Sequence, residues 1–214
     1  METEIKKGAE YRYGIDQRSP EWFGLRAGIA TASQFKCLLS KPDSLTYQRY
    51  LHRIVAEAVT GVVEETPTTA AMQRGIDLEP KVRSFYEFQS GNSVSLVSFV
   101  RNQQAGCSPD GLIGNDGLFE AKTKAHHLMT PILANQTTGN EFAAQVQGQL
   151  WVTGREWCDL VTYSEGYGTL IERVERDEDA IDAIAIAVID FNRRRDELVE
   201  AIRDRMGDSI DPAA

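Results

Sequence analysis

Two acidic residues and one lysine lie close together in the middle of the sequence, on either side of a predicted turn. Asp110 precedes the turn, and Glu120 and Lys122 follow it. Successive side chains of a strand point to opposite faces, so Glu120 and Lys122 project from one face and Ala121 from the other. A hairpin at the turn brings Asp110 beside Glu120. The pattern therefore predicts a compact group of two carboxylates and one amine.

Such a group has the composition of a divalent-metal site that acts on phosphodiesters. Carboxylate oxygens suit Mg²⁺, and also Mn²⁺, and the backbone carbonyl of Ala121 offers a further oxygen ligand. A metal at Asp110 and Glu120 would polarise a phosphodiester and lower the pKa of a bound water. Lys122 would orient that water or neutralise developing charge, and it would need a lowered pKa to act as a base. The spacing alone also fits an ordinary surface hairpin with a solvated Glu–Lys pair.

The hairpin belongs to a run of predicted strands in the middle of the chain. The turn residues 114–117, Gly-Asn-Asp-Gly, are a strong hairpin signal. Alternating or continuous apolar runs predict strands over the following ranges: 94–100, 106–113, 118–122, 157–163 and 169–174. Between residues 122 and 141 we expect a polar loop that carries His126, His127 and Pro131. Adjacent histidines on a loop are more typical of solvated or phosphate-contacting residues than of metal ligands.

Helices are predicted on both sides of these strands. Pro20 favours a helix start near Glu21, and residues 31–35 begin a further helix with Thr31 or Ser33 as its cap. Longer helices are predicted over the following ranges: 44–59, 69–89 with a start or kink near Pro80, 141–152 and 179–206. A mixed sheet flanked by helices is an α/β (α+β) fold. We expect one nuclease domain over 1–214, with a helical part (about 18–90), a catalytic sheet (about 94–174) and a closing helix (about 179–206).

Composition and charge limit the class of protein. The chain has 214 residues, 42% of them hydrophobic and 26% charged, which is ordinary for a globular protein. Three scattered cysteines argue against a disulfide framework or a zinc ribbon. The net charge is −9, but residues 22–53 carry +4 and residues 156–182 carry −7. A DNA-binding surface must therefore be localised. No long apolar run or signal peptide is found, so we expect a cytoplasmic protein without membrane spans.

The sequence resembles the lambda-type exonucleases, or YqaJ-like viral recombinases, a branch of the PD-(D/E)xK nucleases. The resemblance runs from about Arg18 to Val174, and four blocks occur in the family's order. These blocks are Ser19-Pro20-Glu21-Trp22 with Leu25-Arg26 and Thr31-Ala32-Ser33; Arg74-Gly75 through Glu79; Ser108-Pro109-Asp110-Gly111 with Glu120-Ala121-Lys122; and Ala144-Gln145-Val146-Gln147. The fold that it implies is a restriction-endonuclease-like core.

The resemblance implies roles for particular residues. Asp110 and Glu120 match metal-binding carboxylates, and Lys122 matches the catalytic lysine. Glu79 matches an acidic residue on a core helix that helps to hold metal or water, and Gln145 matches a site glutamine. Two further residues match the pocket for the DNA 5′-phosphate: Arg26 and Ser33. An arginine can grip phosphate through two parallel N–H bonds, and a serine at a helix start adds a donor. Gln147 lies about 200° around the helix from Gln145, so only one of the two should face the site.

The function that the resemblance implies is a Mg²⁺-dependent 5′→3′ exonuclease on linear double-stranded DNA with 5′-phosphorylated ends. It would leave 3′ overhangs for recombination in a bacterial host cell, as a phage or prophage product. The family also implies a ring-shaped homotrimer and a single-strand annealing protein as partner. Two alternatives stay open: another nuclease on the same core, such as a nicking or structure-specific endonuclease, and a non-catalytic DNA-end-binding module.

Overall fold

The structure is a computed structural model that describes residues 2–6, 8–64 and 67–207. Its helices are α1 (Pro20–Arg26), α2 (Phe35–Leu38), α3 (Leu45–Thr60), α4 (Ala70–Ser90), α5 (His126–Asn135), α6 (Ala143–Thr153) and α7 (Glu178–Met206). Its strands are β1 (Glu2–Lys6), β2 (Ala9–Tyr13), β3 (Val94–Ser95), β4 (Phe99–Arg101), β5 (Gly106–Cys107), β6 (Gly111–Ile113), β7 (Gly117–Thr123), β8 (Trp157–Ser164) and β9 (Gly168–Glu175). None of the described helices combines the length and apolar character needed to span a membrane.

The strands form two sheets. A four-stranded antiparallel N-terminal sheet has the order β1-β2-β4-β5, and a five-stranded central sheet has the order β3-β6-β7-β8-β9. In the central sheet β7 and β8 are parallel, and the other neighbours are antiparallel. A parallel pair needs a long crossover, and α5 and α6 supply it here. The predicted fold class, a mixed central sheet flanked by helices, is confirmed.

The middle of the chain passes between the two sheets, which the sequence prediction missed. The predicted strand over 94–100 is split into β3 in the central sheet and β4 in the N-terminal sheet. The predicted strand over 106–113 is likewise split into β5 and β6. Pro109 lies at the second crossing, where its missing N–H cannot join a strand ladder. Asp110 therefore lies where the chain leaves one sheet and enters the other.

The hairpin of β6 and β7 forms as predicted. Its register pairs Gly111 with Phe119 and Ile113 with Gly117. The buried Arg155 secures the turn, because its Nη1 donates to the carbonyls of Gly114 and Gly117 at 3.1 and 2.7 Å. Gly117 is required where it stands, since a Cβ there would lie 2.3 Å from the Trp157 ring.

Two predicted helices agree with the structure, with one exception. Helix α3 begins after the Ser44 cap, whose Oγ accepts from the Tyr47 N–H, and it ends at Gly61 in the left-handed region. Helix α4 is capped by Thr69 and runs to Ser90. Pro80 lies inside α4, so of the two expectations at this proline, a helix start or a kink, the start is excluded.

Two regions differ from their predictions. Strands β1 and β2 precede the first predicted element, and the Tyr11 hydroxyl of β2 donates to the Thr153 carbonyl at 2.7 Å. The expected polar loop after Lys122 contains helix α5, so His126 is its first residue and not a loop residue. Met129 and Ile132 of α5 are buried, and this packing holds the helix despite Pro131.

The core lies on both faces of the central sheet. Helices α3, α6 and α7 pack with the N-terminal sheet in one apolar cluster. Helix α4 packs against β6 to β9 through a second cluster that consists of Val82, Tyr86, Ile113, Phe119, Val161 and Tyr163. The second cluster fixes α4, and with it Glu79, above the strand that carries Glu120.

Candidate metal centre and active site

The hairpin brings Asp110 and Glu120 together. Residues 111 and 119 are paired, and Asp110 immediately precedes β6. It therefore lies next to the part of β7 that continues past the pair. The Oδ2 atom of Asp110 accepts a hydrogen bond from the Ala121 backbone N–H at 2.8 Å. The two carboxyl groups thus meet at one edge of β7, as the sequence predicts.

Glu120 is held by three donors. Its side chain is buried, and Oε1 accepts from Lys122 Nζ at 2.6 Å and from Gln145 Nε2 at 2.5 Å. Oε2 accepts from Gln149 Nε2 at 2.7 Å. Lys122 Nζ also donates to Gln145 Oε1 at 3.2 Å. A buried carboxylate is tolerated only when it is paired and hydrogen-bonded, and these contacts meet that condition.

Helix α6 turns one side towards this group and the other away from it. Gln145 and Gln149 are four residues apart, so they lie on the same face, and both donate to Glu120. Gln147 points elsewhere: it donates to the Glu175 carbonyl and accepts from the Asp177 N–H. The expectation that only one of Gln145 and Gln147 faces the site agrees with the geometry. Gln149 was missed: its i to i+4 spacing from Gln145 puts it on the same helix face, but the spacing alone does not show that this face meets Glu120.

Charges of the same sign dominate the group. Burial, and then the Glu120 carboxylate, raise the pKa of Asp110 well above its ordinary value of 3.8. Burial raises the pKa of Glu79 as well. Arg83 lowers it and Glu120 raises it, and the net shift is upward. Burial lowers the pKa of Lys122, but the Glu120 and Asp110 carboxylates outweigh it and the net pKa is raised. Lys122 is therefore protonated, and the acids repel one another.

This arrangement fits a divalent cation with a partly open coordination shell. Asp110 accepts one hydrogen bond among the described residues, which leaves lone pairs for a ligand role. The N–H and C=O of one strand residue point to the same side, so the Ala121 carbonyl faces the Asp110 edge as its N–H does. Within the described ranges no cage of three or more His, Cys, Asp or Glu side chains exists. Mg²⁺, which keeps several waters, needs no such cage.

A cleft of about 340 Å³ contains both predicted phosphate-binding residues, Arg26 and Ser33. We call it the Arg26 cleft. The Arg26 guanidinium lies over the Trp22 ring at 4.0 Å. Ser33 is exposed in a short 3₁₀ helix, Ala32–Gln34. Two further arginines, which the sequence reasoning did not single out, also line this cleft: Arg18 and Arg53.

The Arg26 cleft is connected to Asp110 through Ser108. Arg26 Nη1 and Trp22 Nε1 lie 3.5 and 3.2 Å from Ser108 Oγ, which itself donates to the Ser98 carbonyl at 3.0 Å. Ser108 precedes Asp110 by two residues. The short segment from Ser108 to Asp110 therefore links the Arg26 cleft to the acidic group.

The comparisons with known proteins agree with this geometry. A model of the YqaJ-like viral recombinase domain matches residues 21–156. An alkaline exonuclease (LHK-Exo) from Laribacter hongkongensis is 30% identical, with a TM-score of 0.80, and the match covers 87% of this chain and 97% of that chain. The same exonuclease in complex with dAMP matches with a TM-score of 0.81 at 30% identity, over the same shares of both chains.

A more distant relative shares the fold alone. A phage-related exonuclease from Haemophilus somnus 129PT is 12% identical, with a TM-score of 0.64, and the match covers 83% of this chain and 98% of that chain. No curated protein matches the chain significantly.

Proposed function

The chain belongs to the YqaJ-like viral recombinase family, and on that premise we propose that it is a Mg²⁺-dependent 5′→3′ exonuclease that degrades one strand of linear double-stranded DNA. The observation that carries the proposal is the meeting of Asp110, Glu120 and Lys122 at one edge of β7. Its kinship with an alkaline exonuclease of 30% identity supports hydrolysis of DNA ends.

The residues around Glu120 have different roles in hydrolysis. Asp110, Glu120 and the Ala121 carbonyl would hold the cation, whose chemistry is charge neutralisation on the scissile phosphate and activation of water. Lys122 remains protonated, because the carboxylates raise its pKa. It therefore acts as a donor to the negative charge that develops on phosphate oxygens, or orients the attacking water, and not as a free base.

Glu79 and Gln145 complete this group. Gln145 bridges Lys122 and Glu120, so it fixes the ammonium relative to the carboxylate. Glu79 extends from α4 and interacts electrostatically with Glu120 and Lys122, and burial raises its pKa, which is common for groups at functional sites. Both are proposed as catalytic residues.

The Arg26 cleft supports recognition of a 5′-terminal phosphate. Arg26 is half-buried, and burial lowers its pKa, so an anionic partner there would recover charge stabilisation. Ser33 supplies a hydroxyl donor on the same cleft. Cleavage at the acidic group next to this cleft would release nucleotides from 5′-phosphorylated ends and leave 3′ overhangs.

We further propose one nuclease domain over the chain, acting in the cytoplasm of a bacterial host as a phage or prophage product. A ring-shaped homotrimer would retain the DNA, and a single-strand annealing protein would take the overhang. The assembly is tested by light scattering during gel filtration. A trimer has three times the mass of the 23.8 kDa chain, and a monomer mass at working concentration would exclude the ring.

The activity is tested on end-labelled linear duplexes, with and without a 5′-phosphate, and on a closed circle of the same sequence. We expect Mg²⁺-dependent release of nucleotides from the phosphorylated 5′ end, none in EDTA and none from the circle. Nicking of the circle would favour a structure-specific endonuclease. Binding of ends without any cleavage would favour a non-catalytic end-binding module.

A further inference from the structure

A second, smaller cleft lies at the end of β7, where Thr123 and Lys124 follow Lys122. Its volume is about 160 Å³, and we call it the α5 cleft. It is lined by Arg74, Leu78, Thr123, Lys124, Ala125, His126, Tyr163, Ser164 and Glu165. A water takes about 30 Å³ in the liquid, and small-molecule pockets reach roughly 300 Å³ or more. The α5 cleft is thus sized for a phosphate group with a few waters, not for a whole nucleotide.

The amino end of helix α5 opens into this cleft without a side-chain cap. Ala125 stands at the cap position and has no side chain that could accept a hydrogen bond. Among the described residues the backbone N–H groups of His126 and His127 have no acceptor. Free N–H groups and the helix dipole together favour an anion at this position.

Ser164 provides an independent sign of a missing ligand. Its side chain is 2% exposed, and its Oγ is buried without a hydrogen-bond partner among the described residues. A buried hydroxyl without a partner is costly, and Ser164 lines the same cleft as the α5 amino end. An anion in the cleft would satisfy this hydroxyl and the helix N–H groups together.

The charges around the cleft favour an anion. Arg74 is exposed and has no ion-pair partner among the described residues. Lys124 donates to both carboxylate oxygens of Glu141 at 2.7 Å, so its charge is shared. Glu165 is the acid among the lining residues, and its Oε1 lies 3.6 Å from Lys81 Nζ.

Helix α4 contributes to both clefts from roughly opposite faces. Met72 and Ile76 line the Arg26 cleft, whereas Arg74 and Leu78 line the α5 cleft. At 100° per residue, Glu79 lies about 20° from Met72 and about 100° from Leu78, so it faces the same side of the helix as the Arg26 cleft. The α5 cleft reaches the acidic group along β7 instead, because its lining residues Thr123 and Lys124 directly follow Lys122.

From these observations we propose that the α5 cleft binds a backbone phosphate of the DNA beyond the scissile linkage, through Arg74, Ser164 and the amino end of α5. This inference rests on the proposed nuclease function. With the terminal phosphate in the Arg26 cleft, the DNA would be held at two separate clefts. The shared chemistry is that of any phosphate, so the test must separate a DNA phosphate from that of a released mononucleotide.

The test is a cycle of substitutions in protein and DNA. Methylphosphonate linkages, which carry no charge, replace the phosphates near a duplex end one at a time, in either strand. Affinity is measured by fluorescence anisotropy in EDTA, so the result does not depend on cleavage. For the wild type we expect one position to weaken binding about tenfold, since charge-assisted hydrogen bonds are among the stronger ones. In Arg74→Ala that position should cease to matter, and the salt slope should fall by about 1.

Three further variants show whether the coupling is specific to the α5 cleft. Ser164→Ala should couple to the same position as Arg74→Ala, whereas Arg205→Ala on the exposed end of α7 should couple to none. Ala125→Asp supplies an internal carboxylate to the α5 amino end, so it should keep or raise the melting temperature and still abolish sensitivity at that position.

The outcomes separate the two proposals. If each methylphosphonate lowers affinity by the same factor in the wild type and in the Arg74 and Ala125 variants, no linkage is coupled to these residues and the α5 site is overturned. The same result is expected if the cleft holds only a free mononucleotide. Absence of Mg²⁺-dependent cleavage, with coupling intact, would overturn the nuclease function and leave the phosphate site standing.

Discussion

Asp110 and Glu120 are unequal partners at the residue scale. Glu120 is fixed by hydrogen bonds from Lys122, Gln145 and Gln149, whereas Asp110 accepts one hydrogen bond, from the Ala121 N–H. Glu120 is consequently organised before a cation arrives, and Asp110 carries most of the electrostatic strain that the cation would relieve.

Replacement of Asp110 by asparagine should separate stability from activity. Asp110→Asn keeps an oxygen for the Ala121 N–H and removes the charge that Glu120 repels. We expect the metal-free variant to be more stable by about 1 kcal/mol, since active-site strain is often relieved by such changes. Cleavage should fall by at least about a thousandfold. Urea unfolding in EDTA and end-labelled digestion measure the two effects, and a destabilised variant would contradict this account of the site.

Gln149 gives a second prediction, with Gln147 as its matched control. Gln149→Leu removes the donor to Glu120 Oε2, and a hydrogen bond to a charged group contributes about 1.5–3 kcal/mol. We expect kcat to fall about tenfold with little change in KM, because Glu120 loses its orientation. Gln147→Leu removes contacts to the Glu175 carbonyl and the Asp177 N–H, so it should reduce stability and leave kcat unchanged. Equal losses of kcat in both variants would show that Gln149 only stabilises the fold.

Strand alternation was sufficient to predict part of the site. It placed Glu120 and Lys122 on one face, and the hairpin signal at 114–117 brought in Asp110. Gln149 was not predicted because a buried glutamine looks in sequence like any polar residue of a helix. Its role depends on which face of α6 meets β7, and only the packed structure determines that face.

At the element scale, the hairpin depends on a residue outside it. Arg155 follows α6, and its Nη1 donates to the carbonyls of Gly114 and Gly117, with a longer contact of 3.4 Å to Ile113. The rigid guanidinium holds this nitrogen in a fixed orientation towards the carbonyls, whereas a lysine ammonium at the end of a flexible stem is not fixed in this way. The register of β6 and β7, and hence the Asp110–Glu120 approach, is held by this arginine.

Arg155→Lys should therefore weaken the hairpin although it conserves charge. We expect a loss of about 2–3 kcal/mol in the free energy of unfolding, because buried carbonyls lose their donor. Arg205→Lys, at the exposed end of α7, is the control and should change stability by less than about 0.5 kcal/mol. Chemical denaturation measures both, and an unaffected Arg155→Lys variant would show that the turn holds its register without help.

Elements fixed by distant partners were the ones that sequence reasoning missed. Strands β1 and β2 are short, and β2 pairs with β4, almost ninety residues later in the chain. Helix α5 contains Pro131 in its interior, yet Met129 and Ile132 anchor it in the core. By contrast, α3 carries its own start and stop in Ser44 and Gly61, and local signals predicted it well.

At the scale of the whole molecule, the acidic centre links stability to pH and to Mg²⁺. The pKa of Asp110 is raised on folding above 3.8, so between its unfolded and folded pKa the native state keeps a proton that the unfolded chain has released. The stabilising contribution is complete below the unfolded pKa and is lost as pH rises through the folded pKa. The pKa of Glu79 is raised in the same direction.

In EDTA the melting temperature should therefore lose this contribution as pH rises above 3.8 and through the raised pKa of Asp110, and saturating Mg²⁺ should restore stability most at the upper end. Cation ligands must be deprotonated, so Mg²⁺ binds more tightly as pH increases. Scanning calorimetry across this range measures both profiles, with Asp110→Asn as the control that should flatten them. An Mg²⁺ effect that is independent of pH would argue against coordination by Asp110.

Because the chain passes between its two sheets at Asp110, a bound metal ion would link the two sheets. Residues 108–110 carry the chain from β5 to β6, and Asp110 lies at the end of that crossing while Glu120 lies within the central sheet. An ion shared by these two residues would fasten the N-terminal sheet to the central sheet at a single point. Binding of the ion would then reduce the motion of residues 108–110, and also of the Trp22 and Arg26 side chains that contact Ser108. Affinity for a DNA end and competence for cleavage would accordingly increase together when the ion binds.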